Sequence, residues 1–296
     1  MILIAGGTGI LGTKLVQRLS ARGLPVRVLA RNPAGPNYPV GRQVEIVQGD
    51  VRDPASLVRA MAGVETVVSA VQGLTGSGGN SPESVDNNGN ASLFDAAAAH
   101  GAAVVLMSVV GASADSPMEL FRMKHAAEQR LRASRIPWTI VRATAFLETW
   151  ITLLEQTASR SGRPLVFGRG DNPINFVSAT DVAALLERAA TDASTRGATL
   201  EIGGPENLSL NQLAAAIQNA AGRVAPPRHV PRAALRTMAL VLKPMKPTVA
   251  RMARAALVMD TYDLALDAAA IHVAYPDIPS TRLVDLLGSS ARVAFA

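Results

Sequence analysis

The seven residues Gly6-Gly7-Thr8-Gly9-Ile10-Leu11-Gly12 constrain this chain more than any other stretch. They place a GxxGxxG pattern at Gly6, Gly9 and Gly12, after the apolar run Met1–Ala5 and before Ile10–Arg22, where Leu11, Leu15, Val16 and Leu19 recur at helical spacing. A strand, a tight turn and a helix follow, with Gly23 closing the helix. Each glycine has its own task. The first permits the turn, the second lets backbone approach a diphosphate, and the third lets the helix pack closely on the strand. The helix amino terminus then offers N–H groups and a positive dipole end to phosphate oxygens. The pattern predicts a dinucleotide site. An ATPase phosphate loop does not fit. Gly7 and Gly12 have its spacing, but Thr13 intervenes, so Lys14 is one residue late and about 100° around the helix.

Downstream, short apolar runs alternate with helical patterns. Strands are expected at Pro25–Ala30, Val44–Gln48, Glu65–Val71, Ala103–Ser108 and Trp138–Arg142. Helices are expected at Pro54–Met61, Ser84–His100 and from Ser116-Pro117-Met118-Glu119, which reads as a capping box, to about Ser134. Gly73–Pro82 reads as a mobile surface loop. Strands separated by helices give βαβ units and a parallel sheet with right-handed crossovers. The fold class is therefore α/β, a doubly wound Rossmann-type sheet of strand order 3-2-1-4-5-6. Asn175–Val177 and Ala198–Ile202 read as further strands and Ala179–Ala190 as a helix, with Asp181 near its start. Ser209-Leu210-Asn211-Gln212 is a second capping box, and Pro226, Pro227 and Pro231 mark a connection. Ala233–Leu242 and Thr248–Met259 read as amphipathic helices broken by Lys243-Pro244-Met245-Lys246-Pro247. The expected organisation is a nucleotide-binding core at 1–160 and about 173–204, with a small, mostly helical lobe on the substrate side at about 161–172 and 205–296. Met238, Met245, Met252 and Met259 are expected in that lobe's core, or alternatively lining an adaptable apolar pocket. Trp138 and Trp150 read as packing groups.

Composition narrows the function. At 296 residues, 48% hydrophobic and 18% charged, the chain can bury a substantial core. The absence of cysteine excludes disulfides, thiolate catalysis and cysteine-ligated metals. The histidines His100, His125, His229 and His272 form no metal-binding spacing, so no metal is expected. The formal charge of +6 comes mostly from arginines scattered along the chain, with no basic run of the nucleic-acid-binding kind, and aromatics are only 4%. The expected partners are a small-molecule substrate and no nucleic acid, with a homodimer or a regulatory protein partner as further options. No apolar run reaches the roughly 18 residues of a membrane span, and the amino terminus lacks the pattern of a signal peptide. A cytoplasmic location is the default.

The end of the second strand bears on the choice of dinucleotide. An NAD site wants a carboxylate about 20 residues beyond the glycines, on the ribose 2′-hydroxyl. Arg31-Asn32-Pro33 stands there instead, and a guanidinium pairs with a 2′-phosphate. NADP(H) is the expected cofactor, with NAD(H) possible. Asp50 either bonds the adenine amino group or caps the helix at Pro54.

These residues resemble the atypical short-chain dehydrogenase/reductases, specifically their NmrA-like NAD(P)H-binding group. The glycine turn, Val26–Pro33, Gly49–Asp53, Met107–Gly111, Lys124–Glu128, Ile136–Arg142 and Asn175–Ala183 carry the resemblance, which covers roughly residues 1–210. It implies a cofactor site built from Gly6, Thr8, Gly9, Ile10, Leu11, Gly12, Arg31, Asn32, Asp50 and Val51. Ser69, Ala70 and Val71 would border the adenosine ribose, and Ser108, Lys124 and the Ala143–Phe146 segment the nicotinamide. Ordinary members of the superfamily use Tyr-x-x-x-Lys, with the tyrosine as proton donor. Here the lysine is Lys124 and Leu120 stands in the tyrosine's place; the chain's tyrosines are Tyr38, Tyr262 and Tyr275. Three readings of Lys124 follow. It transfers a proton, as in the isoflavone-reductase-like relatives, in an NADPH-dependent oxidoreductase acting on a small apolar carbonyl, enone or quinone-like substrate. It only bonds the ribose, in a non-catalytic redox sensor like NmrA itself. Or it forms an exposed i,i+4 pair with Glu128. Ser108 and Lys124 are the catalytic candidates.

Overall fold

The computed structural model describes residues 1–33, 41, 43–76 and 79–293; Tyr38 and part of the Gly73–Pro82 loop (77 and 78) lie outside them. The chain forms two compact units, Met1–Ala143 with Ala179–Ile202, and Thr144–Ser178 with Gly203–Ala296.

The first unit begins with β1 (Ile2–Ala5), α1 (Ile10–Ala21), β2 (Val26–Ala30), β3 (Val44–Gln48), α2 (Pro54–Ala60), β4 (Thr66–Ser69), α3 (Asn88–Ala99), β5 (Ala103–Val109), α4 (Glu119–Ala133) and β6 (Trp138–Ala143). The chain then enters the second unit as β7 (Ala145–Phe146), α5 (Leu147–Ser161), β8 (Leu165–Phe167) and β9 (Ile174–Val177), and returns to the first as α6 (Ala179–Thr191) and β10 (Thr199–Ile202). The first unit's sheet runs β3-β2-β1-β4-β5-β6-β10, and every neighbouring pair is parallel. This is the doubly wound order read from the sequence, extended by a seventh strand. Covering both faces explains why β1, β2 and β4 are buried along their whole length. On one face, Leu93, Phe94 and Ala97 of α3 pack with Leu3, Val67, Val104 and Ile140 of the strands. The stripe Leu11, Leu15, Val16 and Leu19 buries α1, which packs along α6. Gly23, at φ +71°, follows that helix as expected. Asp181 lies in the first turn of α6. Trp138 packs against the core under Arg132.

Two helix starts differ from expectation. Residues Pro82–Asn87 form a π-helical turn ahead of α3, capped by Ser81. Helix α4 begins at Glu119, not Pro117. Ser116 Oγ accepts from Met118 N at 3.3 Å, closing a short turn, so its hydroxyl does not reach the third helical amide and no capping box forms. The box at Ser209 does form. Gln212 N donates to Ser209 Oγ, and Ser209 N donates to Gln212 Oε1 at 2.8 Å.

The second unit continues with β11 (Glu206–Leu208), α7 (Leu210–Ala220), β12 (Arg228–Val230), α8 (Arg232–Val241), α9 (Pro247–Met259), α10 (Ala269–Ala274) and α11 (Leu283–Val293). Its sheets are β11-β9-β7 and β12-β8. Helix α5 stands where no element is expected from the sequence, although Leu147, Ile151, Leu154 and Ala158 make a helical stripe and Gly162 ends it at φ +70°. That stripe meets Val166, Phe176, Leu213 and Ile217, and Trp150 packs edge-on to Phe176 at 6.3 Å. Of the four methionines, Met238 and Met259 pack on hydrophobic clusters, whereas Met245 and Met252 are 78% and 40% exposed. The lobe-core expectation fails for the latter pair.

A buried carboxylate ties this unit together. Asp260, at the end of α9, accepts from Arg169 N at 2.8 Å and Gly170 N at 3.0 Å, and faces the guanidiniums of Arg169 and Arg232 at 3.5 and 3.3 Å. Replacing it with alanine strands two amides and two cations. Asp260→Ala is expected to cost about 3 kcal/mol in urea unfolding. Asp260→Asn, which keeps one acceptor oxygen, is expected to cost less.

Candidate cofactor and active site

The turn after β1 is fixed by atoms that leave no room for side chains. Gly6 sits at φ +91°, and a Cβ there would lie 2.6 Å from the Ala70 carbonyl oxygen. A Cβ on Gly12 would lie 2.1 Å from the Gly6 oxygen. Both positions are demanded by the protein's own backbone. Gly9 differs. A Cβ there would meet nothing in the protein closer than 3.5 Å, and Thr8, Gly9 and Ile10 are exposed, Ile10 by 45%. Gly9 is also the N-cap of α1, no side chain caps that helix, and its first turn holds no acid. A capping side chain is the usual remedy for amides left unpaired at a helix start. Here the fold leaves open backbone where an anion can approach. The arrangement fits a diphosphate.

The other expected residues of the first unit stand at the carboxyl ends of the parallel strands, around the β1–β4 boundary where the strand order reverses. Arg31 follows β2, is exposed, and donates to Asn80 Oδ1 at 3.2 Å. Asn32 is exposed beside it. Asp50 follows β3 and binds Arg52 through both oxygens, at 2.7 Å to Nη2. That guanidinium holds the Asp50 carboxyl below its ordinary value, against partial burial, and the charge of Arg31 adds to the lowering. Asp50 is not the helix cap. Asp53 is, accepting from Ala55 N at 3.1 Å. Val51 is buried. Ser69, fully buried at the end of β4, donates to Asn90 Oδ1 at 2.5 Å, and Ala70 N donates to the Ala5 carbonyl at 2.8 Å. Ala143 ends β6, its carbonyl accepting from Val110 N at 3.0 Å. Phe146 lies in β7 of the second unit.

Lys124 is 3% exposed, so it is not a surface partner of Glu128. Its ammonium donates to the carbonyls of Val71 and Met107 at 3.0 and 2.9 Å. It also lies 2.9 Å from Asp86 Oδ1, an ion pair off the alignment of a hydrogen bond. The other Asp86 oxygen accepts from Gly73 N at 2.8 Å. Burial pushes the Asp86 carboxyl up, while Lys124 and the Gly73 amide act in the opposite direction. Asn90 Nδ2 donates to the Asp86 carbonyl at 2.7 Å. One buried network thus joins the ends of β4 and β5 to the π turn. Ser108 belongs to a second. Its hydroxyl donates to Glu128 Oε1 at 2.6 Å. Glu128 also accepts two bonds from Arg142, at 2.9 and 2.6 Å, and Arg132 stands at 3.2 Å. Burial raises the Glu128 carboxyl, but these bonds and charges outweigh it and leave it below its ordinary value. Leu120 is buried, and neither Tyr262 nor Tyr275 belongs to the first unit.

Sequence reasoning missed Asp86, Asn90, Glu128 and Arg142 as members of the site. A signal existed: Asp86 and Asn90 are polar residues four apart on an otherwise alanine-rich apolar face.

The fold and this strand-end cradle define a nucleotide-binding α/β protein. Residues 6–193 match the family described as NAD(P)H-binding, and the chain belongs to that family. NAD(P)H is its cofactor. The chain is 32% identical over 231 residues to the NAD(P)H azoreductase of Xenophilus azovorans, covering 78% of this chain and 76% of that one. It is 33% identical over 224 residues to the (4-alkanoyl-5-oxo-2,5-dihydrofuran-3-yl)methyl phosphate reductase of Streptomyces griseus, covering 75% and 74%. Among solved structures, the Escherichia coli NADPH-dependent quinone oxidoreductase complexed with NADPH shares the fold over 98% of this chain and 99% of that one, at a TM-score of 0.77 and 22% identity. The Citrobacter triphenylmethane reductase complexed with NADP(H) does so over the same shares, at 0.76 and 18%.

Two outcomes follow. Gly12→Ala is expected to lower the melting temperature sharply, because the clash is with backbone. Gly9→Ala is expected to melt close to the unmodified protein, yet to gain less than it from added NADPH; thermal scans with and without NADPH separate the two. Glu128→Gln is expected to cost about 3 kcal/mol at neutral pH, at the low end for breaking a buried pair because Arg142 keeps some contact with water. Glu128's folded pKa is depressed, so its contribution is complete above the ordinary value of 4.5 and is lost as pH falls through the lower folded value. The stability gap between the two proteins, followed by denaturant melts, should therefore narrow below pH 4.5.

Proposed function

We propose that the protein is an NADPH-dependent oxidoreductase that delivers hydride to a small apolar carbonyl, enone or quinone-like acceptor. The observation that carries this reading is the open, uncapped start of α1 at Gly9, with Arg31 at the next strand end. The amides of Ile10 to Gly12 hold the diphosphate. Arg31, with Asn32, holds the 2′-phosphate and selects NADPH over NADH. Asp50 and Val51 border the adenine; Ser69, Ala70 and Val71 border its ribose. The names of two relatives, an NAD(P)H azoreductase and a phosphate-ester reductase, support a reductive direction. When bound, the reduced nicotinamide supplies the hydride, so the protein's own contribution is placement and electrostatics.

Lys124 serves that placement. Two carbonyl acceptors, Val71 and Met107, and the paired carboxylate of Asp86 surround the ammonium, so giving up a proton would break a buried bond or the ion pair. The lysine holds the ends of β4 and β5 in position through its bonds to the Val71 and Met107 carbonyls. Ser108, whose proton goes to Glu128, likewise fixes strand β5. The lack of a side-chain acid at the tyrosine's position suits acceptors such as quinones, whose reduced oxygens take a proton readily from water.

Steady-state NADPH oxidation with a small quinone tests the reading. Arg31→Ala is expected to raise KM for NADPH at least about tenfold, as loss of a charge-assisted contact to phosphate would, and to leave NADH unaffected. The double variant Asp86→Asn with Lys124→Met, which neutralises the buried pair together, is expected to raise KM while keeping most of kcat and its pH profile. Loss of kcat with a new pH dependence would return Lys124 to proton transfer. Tight NADPH binding with no oxidation by any carbonyl, enone or quinone would favour the NmrA-type sensor.

A further inference from the structure

Helices α8 and α9 pack along each other as a helical hairpin joined by Leu242–Lys246. Its inner face is ordinary core: Leu235, Ala239 and Ala253 are buried, with Phe167, Val230 and Met238 against them. Its tip is not. Leu240, Val241 and Met245 are 71%, 60% and 78% exposed. Lys243, Pro244, Lys246 and Pro247 are exposed between and beside them. Two of the chain's four lysines therefore flank an exposed methionine, in a protein that otherwise uses arginine for its positive charge.

The charge around this tip is one-sided. Positive residues are scattered through the whole chain, but carboxylates are not. Between Glu206 and Asp260 there are eight lysines and arginines and no aspartate or glutamate. Outside that segment the acids outnumber the bases, so residues 207–259, whose eight cations include six on the hairpin, account for the whole net charge of +6. The bounding Asp260 is buried against Arg169 and Arg232 and does not offset the surface charge. Arg236 and Arg254 add exposed cations along the two helices.

We infer that the α8–α9 tip docks on an anionic lipid bilayer. Protruding aliphatic side chains next to lysines match the headgroup boundary of such a surface. Leu240, Val241 and Met245 enter the acyl edge, and Lys243 and Lys246 extend their stems along it while their ammoniums meet lipid phosphates. A nucleic acid would match the charge but offers no receptor for three aliphatic side chains. The tip is exposed and holds two prolines, which suits insertion into a fluid interface better than a fixed protein groove. No described helix is long and apolar enough to cross a membrane, so the contact is with the surface.

Sedimentation of the full chain with vesicles tests this. The protein is expected to pellet with vesicles of phosphatidylcholine and phosphatidylglycerol in equal parts, to stay in solution with phosphatidylcholine alone, and to be released as salt rises. Lys243→Glu with Lys246→Glu is expected to abolish pelleting. Leu240→Ser with Met245→Ser, which leaves the charge unchanged, is expected to reduce it several-fold. Both variants lie outside the cofactor site, and unchanged circular dichroism and thermal melting of the full chain report that they are folded. The inference is overturned if the unmodified protein stays in solution with the anionic vesicles. It is equally overturned if the serine variant pellets as well as the unmodified protein, which would reduce the effect to charge attraction.

Discussion

Three backbone segments meet after the first strand with no side chain between them: the Gly6 turn, the Ala70 carbonyl at the end of β4, and the first turn of α1 at Gly12. This close approach is the constraint on which the site depends. It seats α1 so that its unpaired amides emerge at the point where the strand order reverses. A methyl group at Gly6 or Gly12 would push the helix off the sheet and remove the cradle with it. Gly9 obeys a different requirement, since the protein itself would tolerate a side chain there. A diphosphate bound at the turn would account for its absence.

Around that point the protein places charge in its interior. Asp86 and Lys124 form a buried pair, and Glu128 and Arg142 form another beside it. Buried pairs add little net stability compared with apolar packing, but breaking one is costly. Their value here is positional. The first fixes the ends of β4 and β5 against the π turn; the second fixes Ser108 on β5 and Arg142 on β6 to α4, and through Arg142 reaches Glu201 on β10 at 3.0 Å. A strand-end site made mostly of backbone needs such fixing, because it has few side chains of its own to set its shape.

The sequence made much of this legible, and unevenly. The glycine turn, the apolar strands and the order of the first six strands follow from local pattern, because βαβ connectivity leaves few ways to arrange them. Arg31 was legible for the same reason: its place at a strand end is a matter of counting. The Asp86–Lys124 pair was not, since its members lie on separate elements and meet only once the sheet order is known. Lys124 could be singled out, but its burial and its bonds to the Val71 and Met107 carbonyls could not. The Ser116 box failed because a hydroxyl before proline can close a two-residue turn as readily as it caps a helix. Helix α5 was readable from its leucine stripe. The methionines show a further limit: residue type marks Met245 and Met252 as apolar, but only packing decides which apolar residues the hairpin hides.

In the proposed site, backbone amides at the start of α1 grip the diphosphate of a dinucleotide while Arg31 neutralises its 2′-phosphate. A crystal structure of the protein grown with NADPH measures this most directly. Diphosphate oxygens are expected within hydrogen-bonding distance of the amides of Ile10 to Gly12, with the Arg31 guanidinium turned from Asn80 onto the 2′-phosphate. A dinucleotide bound with its diphosphate away from that turn, or with Arg31 facing solvent, would contradict it.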